Sequence, residues 1–225
     1  MKRVALAAML LAAAPLALAA TAKGPNWLTT ATVTPGGHRL GNPAAPTKLM
    51  EFVSYTCPHC GHFFKEAAGA IKVAYVQPGK VSVEVRHLIR DPVDLAAVVL
   101  TECGDPKKFF GNHDMFFAQQ GTWLGKASGT SAAQQERWET GPLGGRMRAI
   151  ADDLDFYAMM ETRGYTRAQA DACLSDEKKV RALAAQSSAD ADKFKINSTP
   201  SFVVNGKTLD IHTWDELKKV LSPGT

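Results

Sequence analysis

Hydrophobic positions along this chain change their period several times, and the changes divide it into segments. From Lys48 to Tyr55 the apolar residues Leu49, Met50, Phe52, Val53 and Tyr55 are interrupted only by Glu51 and Ser54. Such a run predicts a central strand covered on both faces. Phe64, Ala67, Ala68, Ile71 and Ala74 then recur at helical spacing, and Gln77-Pro78-Gly79 stops that helix. Val81, Val83 and Val85 alternate with polar residues into Leu88-Ile89 and predict a second strand.

Beyond residue 90 the period is helical. Asp91-Pro92 and Asp105-Pro106 each join an N-cap residue to proline at the first helical position. The helices they open carry Leu95, Val98 and Val99, then Phe109, Phe110, Phe116 and Phe117, with Gly104 as the stop between them. The stretch from Gly125 to Gly145 is weakly patterned. Met147, Ile150, Leu154 and Tyr157 predict one helix ending near Gly164, and Thr166 with Gln169 forms a capping box ahead of Cys173. A longer helix starts at Asp176 with Val180, Leu183 and Ala184 on its apolar face, its Lys/Glu-rich side facing water. Strands return at Ser201–Val204 and Lys207–Leu209, flanking the hairpin signal Asn205-Gly206, and Thr213 to Glu216 caps a last helix bearing Leu217 and Val220. The order is β-α-β, helices, then β-β-α. It predicts an α/β domain split by a helical insertion: a loose lead-in over residues 20–46 with at most a short edge strand near His38-Arg39-Leu40, a first part over 47–90, the insertion over 91–187, and a second part over 188–225.

The N-terminal residues read differently. Lys2 and Arg3 precede an apolar run from Val4 to Leu18, and Ala17-Leu18-Ala19 supplies a small-residue cleavage site. This is the layout of a secretory signal peptide over residues 1–19. The run is shorter than the roughly 20 residues of a spanning helix and contains Pro15. Removing it takes away Lys2 and Arg3, so the net charge of +4 falls to +2. The remaining charges form no basic stripe, and nucleic-acid binding is unsupported.

Export sharpens the meaning of the four cysteines, Cys57, Cys60, Cys103 and Cys173. An even count in an oxidising compartment favours disulfides, yet a chain of 225 residues does not need them to fold. Attention moves to Cys57-Pro58-His59-Cys60. Covalent haem would need histidine directly after Cys60, where Gly61 stands, with His62 one position late. Zinc would need a second ligand pair; His59 and His62 supply candidates on paper only. A redox pair fits the placement. Cys57 falls at a helix N-terminus, where free N–H groups and the helix dipole stabilise a thiolate, and His59 adds a charge or donor nearby. Cys60, one turn along and expected to be the less exposed, is placed to resolve a mixed disulfide. Thr199-Pro200, just before a strand, marks a fixed turn that would face the Cys57 sulfur if its peptide bond were cis.

The segments Glu51 to Cys60 and Ser198 to Gly206, with the order of elements, resemble the DsbA family of bacterial periplasmic dithiol oxidases. The resemblance implies a thioredoxin-like fold with cis Pro200, and no cofactor or metal. It implies donation of the Cys57–Cys60 disulfide to unfolded exported proteins with free cysteines, and reoxidation by a DsbB-type quinone-linked membrane partner. It makes Thr199 and Pro200 the substrate-pairing edge and Glu51 an acid under the active site that moves the Cys60 proton. Thr199 departs from the valine of the enteric prototype. So does the pair Cys103 and Cys173, for which a structural disulfide within the insertion is expected. The N-terminal lead-in is too short for the dimerisation domain of the related isomerases, which points to a monomer. An isomerase or reductase, a redox-inert chaperone-like module and a zinc module are the rival readings. His38, His87, His113 and His212 receive no role.

Overall fold

The computed structural model describes residues 24–221, so the expected signal peptide lies outside the described residues. Six strands form one sheet: β1 (Ala31–Thr34), β2 (Gly37–Leu40), β3 (Thr47–Val53), β4 (Val81–His87), β5 (Ser201–Val204) and β6 (Lys207–Leu209), in the order β1-β2-β4-β3-β5-β6. Only β3 and β4 run parallel, and the helix α1 (Pro58–Ala70) with its wider continuation Ile71–Val76 makes the crossover. The other pairings are antiparallel. The fold is thioredoxin-like with a helical insertion.

The lead-in is more ordered than expected. Thr32-Val33-Thr34 supplies β-branched residues, and Pro35-Gly36 turns the chain back, so β1 and β2 form a hairpin. Gly37 lets β2 join β4, because a Cβ there would stand 2.0 Å from the Val85 carbonyl oxygen. Strand β4 also departs from the alternation expected of it, since every residue from Val81 to His87 is buried. Its polar residues face charges from neighbouring elements. Arg86 bonds Glu84 at 2.7 Å and Asp190 at 2.6 Å, while Arg39 of β2 bonds Glu84 at 2.6 Å.

Asp190 belongs to α9 (Glu177–Phe194), which closes the helical insertion. Its Val180, Ser187 and Asp190 are buried, so its solvated face is only one side. Before it come α2 (Pro92–Thr101), α3 (Phe109–Ala118), α4 (Gln120–Ser128), α5 (Ala132–Glu139), α6 (Leu143–Asp153), α7 (Phe156–Thr162) and α8 (Arg167–Ser175). The weakly patterned stretch is helical because Ser131 and Gln134 cap α5 and its Trp138 donates to Asp153 at 2.8 Å. The helix expected to run to Gly164 is broken at Asp155, which takes a left-handed conformation (φ 59°) between α6 and α7. Phe109, Phe116 and Phe117 join Trp123, Met147 and Phe156 in the insertion's core. The terminal helix α10 (Trp214–Leu221) packs through Leu217 and Leu221 on Phe63 of α1 and Ile71 of its continuation; Val220 faces outward.

The buried Glu84–Arg86–Asp190 network fixes α9 to the sheet. Arg86→Ala leaves two buried carboxylates without their shared cation and is expected to cost about 3–5 kcal/mol in denaturant unfolding. A loss below about 1 kcal/mol would show that water reaches these groups.

Candidate functional site

Strand β3 ends at Val53, and the chain must turn within Ser54-Tyr55-Thr56 before α1 begins. Three carboxylate and hydroxyl contacts hold that turn. Asp94, wholly buried on α2, accepts from the Ser54 hydroxyl at 2.6 Å, the Tyr55 N–H at 2.8 Å and the Arg90 N–H at 3.1 Å. Asp91, the N-cap of α2, accepts from the Thr56 hydroxyl at 2.6 Å. Burial pushes the Asp94 carboxyl up to about 7, against hydrogen bonds that lower it. Asp94 was missed in the sequence, although Asp91-Pro92-Val93-Asp94 carries its signal: an acid at the third helical position, reaching back over the cap.

Cys57 is the N-cap of α1, with Pro58 at the first helical position. Its side chain makes no formal capping hydrogen bond, and the sulfur lies 3.3 Å from the Thr199 carbonyl oxygen across a cis Thr199-Pro200 bond. The Cys60 thiol, held against it, is the largest influence on the Cys57 acidity. Burial opposes it; the Thr199 side chain and the N–H groups of Cys60 and His59 reinforce it. The net result holds the Cys57 thiol down at about 4. Burial is also the main reason that Cys60 moves the other way, far above the ordinary thiol range. Both residues are 2 % exposed, and Cys60, one turn into the helix, is the more strongly desolvated of the two sulfurs. The Thr199-Pro200 loop screens Cys57. His59 acts on the sulfur through its backbone N–H, and its side chain is exposed.

Glu51 sits on β3 between Val85 of β4 and Phe202 of β5. It lines a small cavity of about 40 Å³ with Phe63, Phe64, Lys72, Phe110 and His113. Burial pushes its carboxyl up to about 7, with Lys72 pulling the other way. Of the histidines without an assigned role, His113 lines this cavity and the others stand elsewhere. His113 pairs with the Tyr55 hydroxyl at 2.9 Å, His38 pairs with Glu102 at 2.9 Å and stacks on Phe109, and His212 donates to the Pro200 carbonyl at 2.7 Å. Among the described residues no group of three or more His, Cys, Asp or Glu is arranged to hold a metal. Cys103 and Cys173 are joined by a disulfide between the end of α2 and α8.

The family model described as Thioredoxin matches residues 33–222. The chain belongs to the thioredoxin family. This thioredoxin-family protein is 43 % identical to a protein-disulfide isomerase from Novosphingobium aromaticivorans, over 83 % of this chain and 95 % of that one, with a TM-score of 0.79. It shares its fold with alpha-DsbA1 of Wolbachia pipientis (20 % identity, 84 % and 90 % covered, TM-score 0.65). Among curated proteins it is 26 % identical over 183 residues to a candidate protein-disulfide oxidoreductase of Rickettsia typhi. That match takes in 81 % of this chain and 59 % of the relative, so the chain spans about three fifths of the curated relatives' length.

The raised Glu51 carboxyl predicts a pH dependence. A carboxyl whose folded pKa exceeds its unfolded value stabilises the fold below the unfolded pKa, and that contribution is lost as pH rises through the folded pKa. Between the ordinary 4.5 and about 7, the contributions of Glu51 and Asp94 to stability should therefore fall with rising pH, against those of His87 and His113, which burial holds down at about 3 and which favour the fold as pH rises. Glu51→Gln should remove on the order of 2 kcal/mol of that fall, read from denaturant midpoints at pH 4.5 and pH 7.5. Parallel pH profiles for the two proteins would place Glu51 in free contact with water.

Proposed function

We propose that this protein is a thiol–disulfide oxidase that transfers the Cys57–Cys60 disulfide to exported polypeptides. The observation that carries the reading is the placement of Cys57 at the N-cap of α1, its sulfur 3.3 Å from the Thr199 carbonyl oxygen beside cis Pro200. There the Cys60 thiol and its neighbours hold Cys57 down at about 4, while burial pushes Cys60 far upward. A stabilised Cys57 thiolate favours the reduced form, and a pair that prefers reduction is an oxidant toward others.

The steps balance as thiol–disulfide exchange. A client thiolate attacks Cys57 Sγ of the oxidised pair; the S–S bond breaks and Cys60 leaves with the electron pair. Cys60 then takes a proton, for which Glu51, with a carboxyl near 7, is the assigned donor. A second client thiolate attacks the client sulfur of the mixed disulfide and expels Cys57 as a stable thiolate. The client loses two electrons and gains a disulfide; the protein ends as a dithiol. Thr199, before cis Pro200, offers its backbone to an extended client beside Cys57, and His59 adjusts the sulfur's surroundings. The clients are unfolded exported proteins with free cysteines, met in the periplasm by a monomer. Two electrons must leave after each turnover, and a DsbB-like quinone-linked membrane oxidase is the assigned acceptor.

A second reading has one observation in its favour. The Novosphingobium relative at 43 % identity is named an isomerase. An isomerase works from the reduced pair, reshuffling existing disulfides with no net oxidation. Incubation with reduced, unfolded ribonuclease separates the two: oxidised protein forms disulfides stoichiometrically if it is an oxidase, whereas reduced protein rescues scrambled ribonuclease if it is an isomerase. Cys57→Ser should abolish either activity.

Two measurements bear on the energetics. A thiol with a depressed folded pKa contributes stability above that pKa and loses it as pH falls through it. The reduced protein should therefore be more stable than the oxidised one at pH 7 by roughly 3 kcal/mol, the difference fading near pH 4. Equal stability of the two forms at pH 7 would sink the oxidase reading. The Cys103–Cys173 disulfide closes a separation of 70 residues and is proposed as a structural staple. Replacing both cysteines with alanine should cost about 2–4 kcal/mol of stability and leave the glutathione equilibrium of Cys57 and Cys60 unchanged.

A further inference from the structure

The helical insertion reaches the redox turn through a residue that neither the motif nor the mechanism uses. Gln120 is the first residue of α4, and only 5 % of it is exposed. Its amide nitrogen donates to the Tyr55 carbonyl at 2.7 Å and to the Cys57 carbonyl at 2.9 Å, which uses both of its N–H bonds. Those carbonyls flank Thr56 and bracket the turn that delivers Cys57 to the start of α1. Without Gln120 the Tyr55 carbonyl would lose this partner in a buried setting, which is costly. The Cys57 carbonyl would keep only the Gly61 N–H at 3.2 Å.

Gly61 completes the arrangement. A Cβ built there would stand 1.8 Å from Gln120 Oε1 and 2.6 Å from its amide carbon, so no larger residue fits while Gln120 holds its place. The position directly after Cys60 is open because the amide passes over it. Gln120 is itself anchored from behind: Trp123, one turn along α4, is buried and donates to the Phe116 carbonyl at 3.0 Å.

The geometry points to Gln120 as a positioning residue that couples the helical insertion to the Cys57 sulfur, with Gly61 as the gap that admits it. It touches no client and no sulfur. By fixing the carbonyls of Tyr55 and Cys57 it fixes the direction of the His59 and Cys60 N–H groups that stabilise the thiolate, and its donor end adds positive potential beside them. The inference rests on the oxidase reading and deepens it, because it assigns part of the thiolate's stabilisation to the insertion.

The test is the pH titration of Cys57 thiolate absorbance in the reduced full-length protein, with the glutathione equilibrium as a second readout. Gln120→Met keeps the length of the side chain and loses the donors; it should raise the Cys57 midpoint by about one pH unit and make the disulfide about tenfold less oxidising. Gly61→Ala should produce a similar shift with Gln120 still present, because the methyl evicts the amide. Gly61→Ala added to Gln120→Met should then shift the midpoint no further. A Gln120→Met protein that unfolds cooperatively, with Cys103–Cys173 intact, and titrates like wild type overturns the inference. Fully additive shifts overturn the part assigned to Gly61. If Gln120→Met fails to fold, Gly61→Ala alone decides, since wild-type titration there is equally fatal. A wild type that titrates in the ordinary thiol range defeats the oxidase reading itself, and that result is separate from any difference between wild type and variants.

Discussion

The chemistry depends on one constraint: the first N–H groups of α1 have no partner within the helix and must find negative charge elsewhere. Placing Cys57 at the cap, with Pro58 next, directs them at a sulfur. The Cys60 thiol and Thr199 converge on the same atom. A thiol in a buried site should become less acidic, and Cys60 does. Cys57 escapes because its donors outweigh the loss of solvent. Two sulfurs in one turn of helix therefore differ in charge at neutral pH, and the difference gives the pair a direction.

That turn is held from outside the thioredoxin core. β3 brings the chain to it, but Asp91, Asp94 and Gln120 all come from the helical insertion. Asp94 and Gln120 are complementary in kind: one is an acceptor for the N–H of Tyr55, the other a donor to its carbonyl. A buried peptide group is satisfied on both sides by side chains in place of a strand neighbour, as the end of a sheet requires. The insertion is thus part of the active site's frame as well as a cover beside it.

The site's chemistry was more legible in the sequence than its support. Cys57, Cys60, Thr199 and Pro200 announce themselves because a strand, a two-residue gap and a helix start are local patterns. The strands β3 to β6 were legible for the same reason. The β1–β2 hairpin was not, because Thr, Gly and Pro read as a loop and its second strand is secured by pairing with β4, far along the chain. Gln120 was invisible. The second of two adjacent glutamines carries no periodic signal, and its partners are 63 and 65 residues away. Gly61 was noticed only for excluding haem; its reason lies in the amide that passes over it. His113 and His38 were passed over because a histidine paired with a tyrosine or a glutamate across the core leaves no trace in spacing.

Two carboxyls with folded values near 7, the half-buried Glu51 and the wholly buried Asp94, raise the question of why acids stand where desolvation disfavours their charge. Their partners answer differently. Asp94 accepts three hydrogen bonds, two from the turn and one from the Arg90 N–H, so its oxygens are occupied and its position is rigid. A neutral asparagine would offer one acceptor oxygen where three donors converge. Glu51 faces a cavity lined largely by aliphatic and phenylalanine side chains, with Lys72 and Asp114 also on its wall. Its proton is thus the more easily exchanged of the two, held by desolvation and not by a network. A carboxyl poised near neutrality can both give and take a proton at little cost, whereas one locked in hydrogen bonds cannot. The same burial that destabilises both charges thus yields a structural acid on α2 and an exchangeable one on β3.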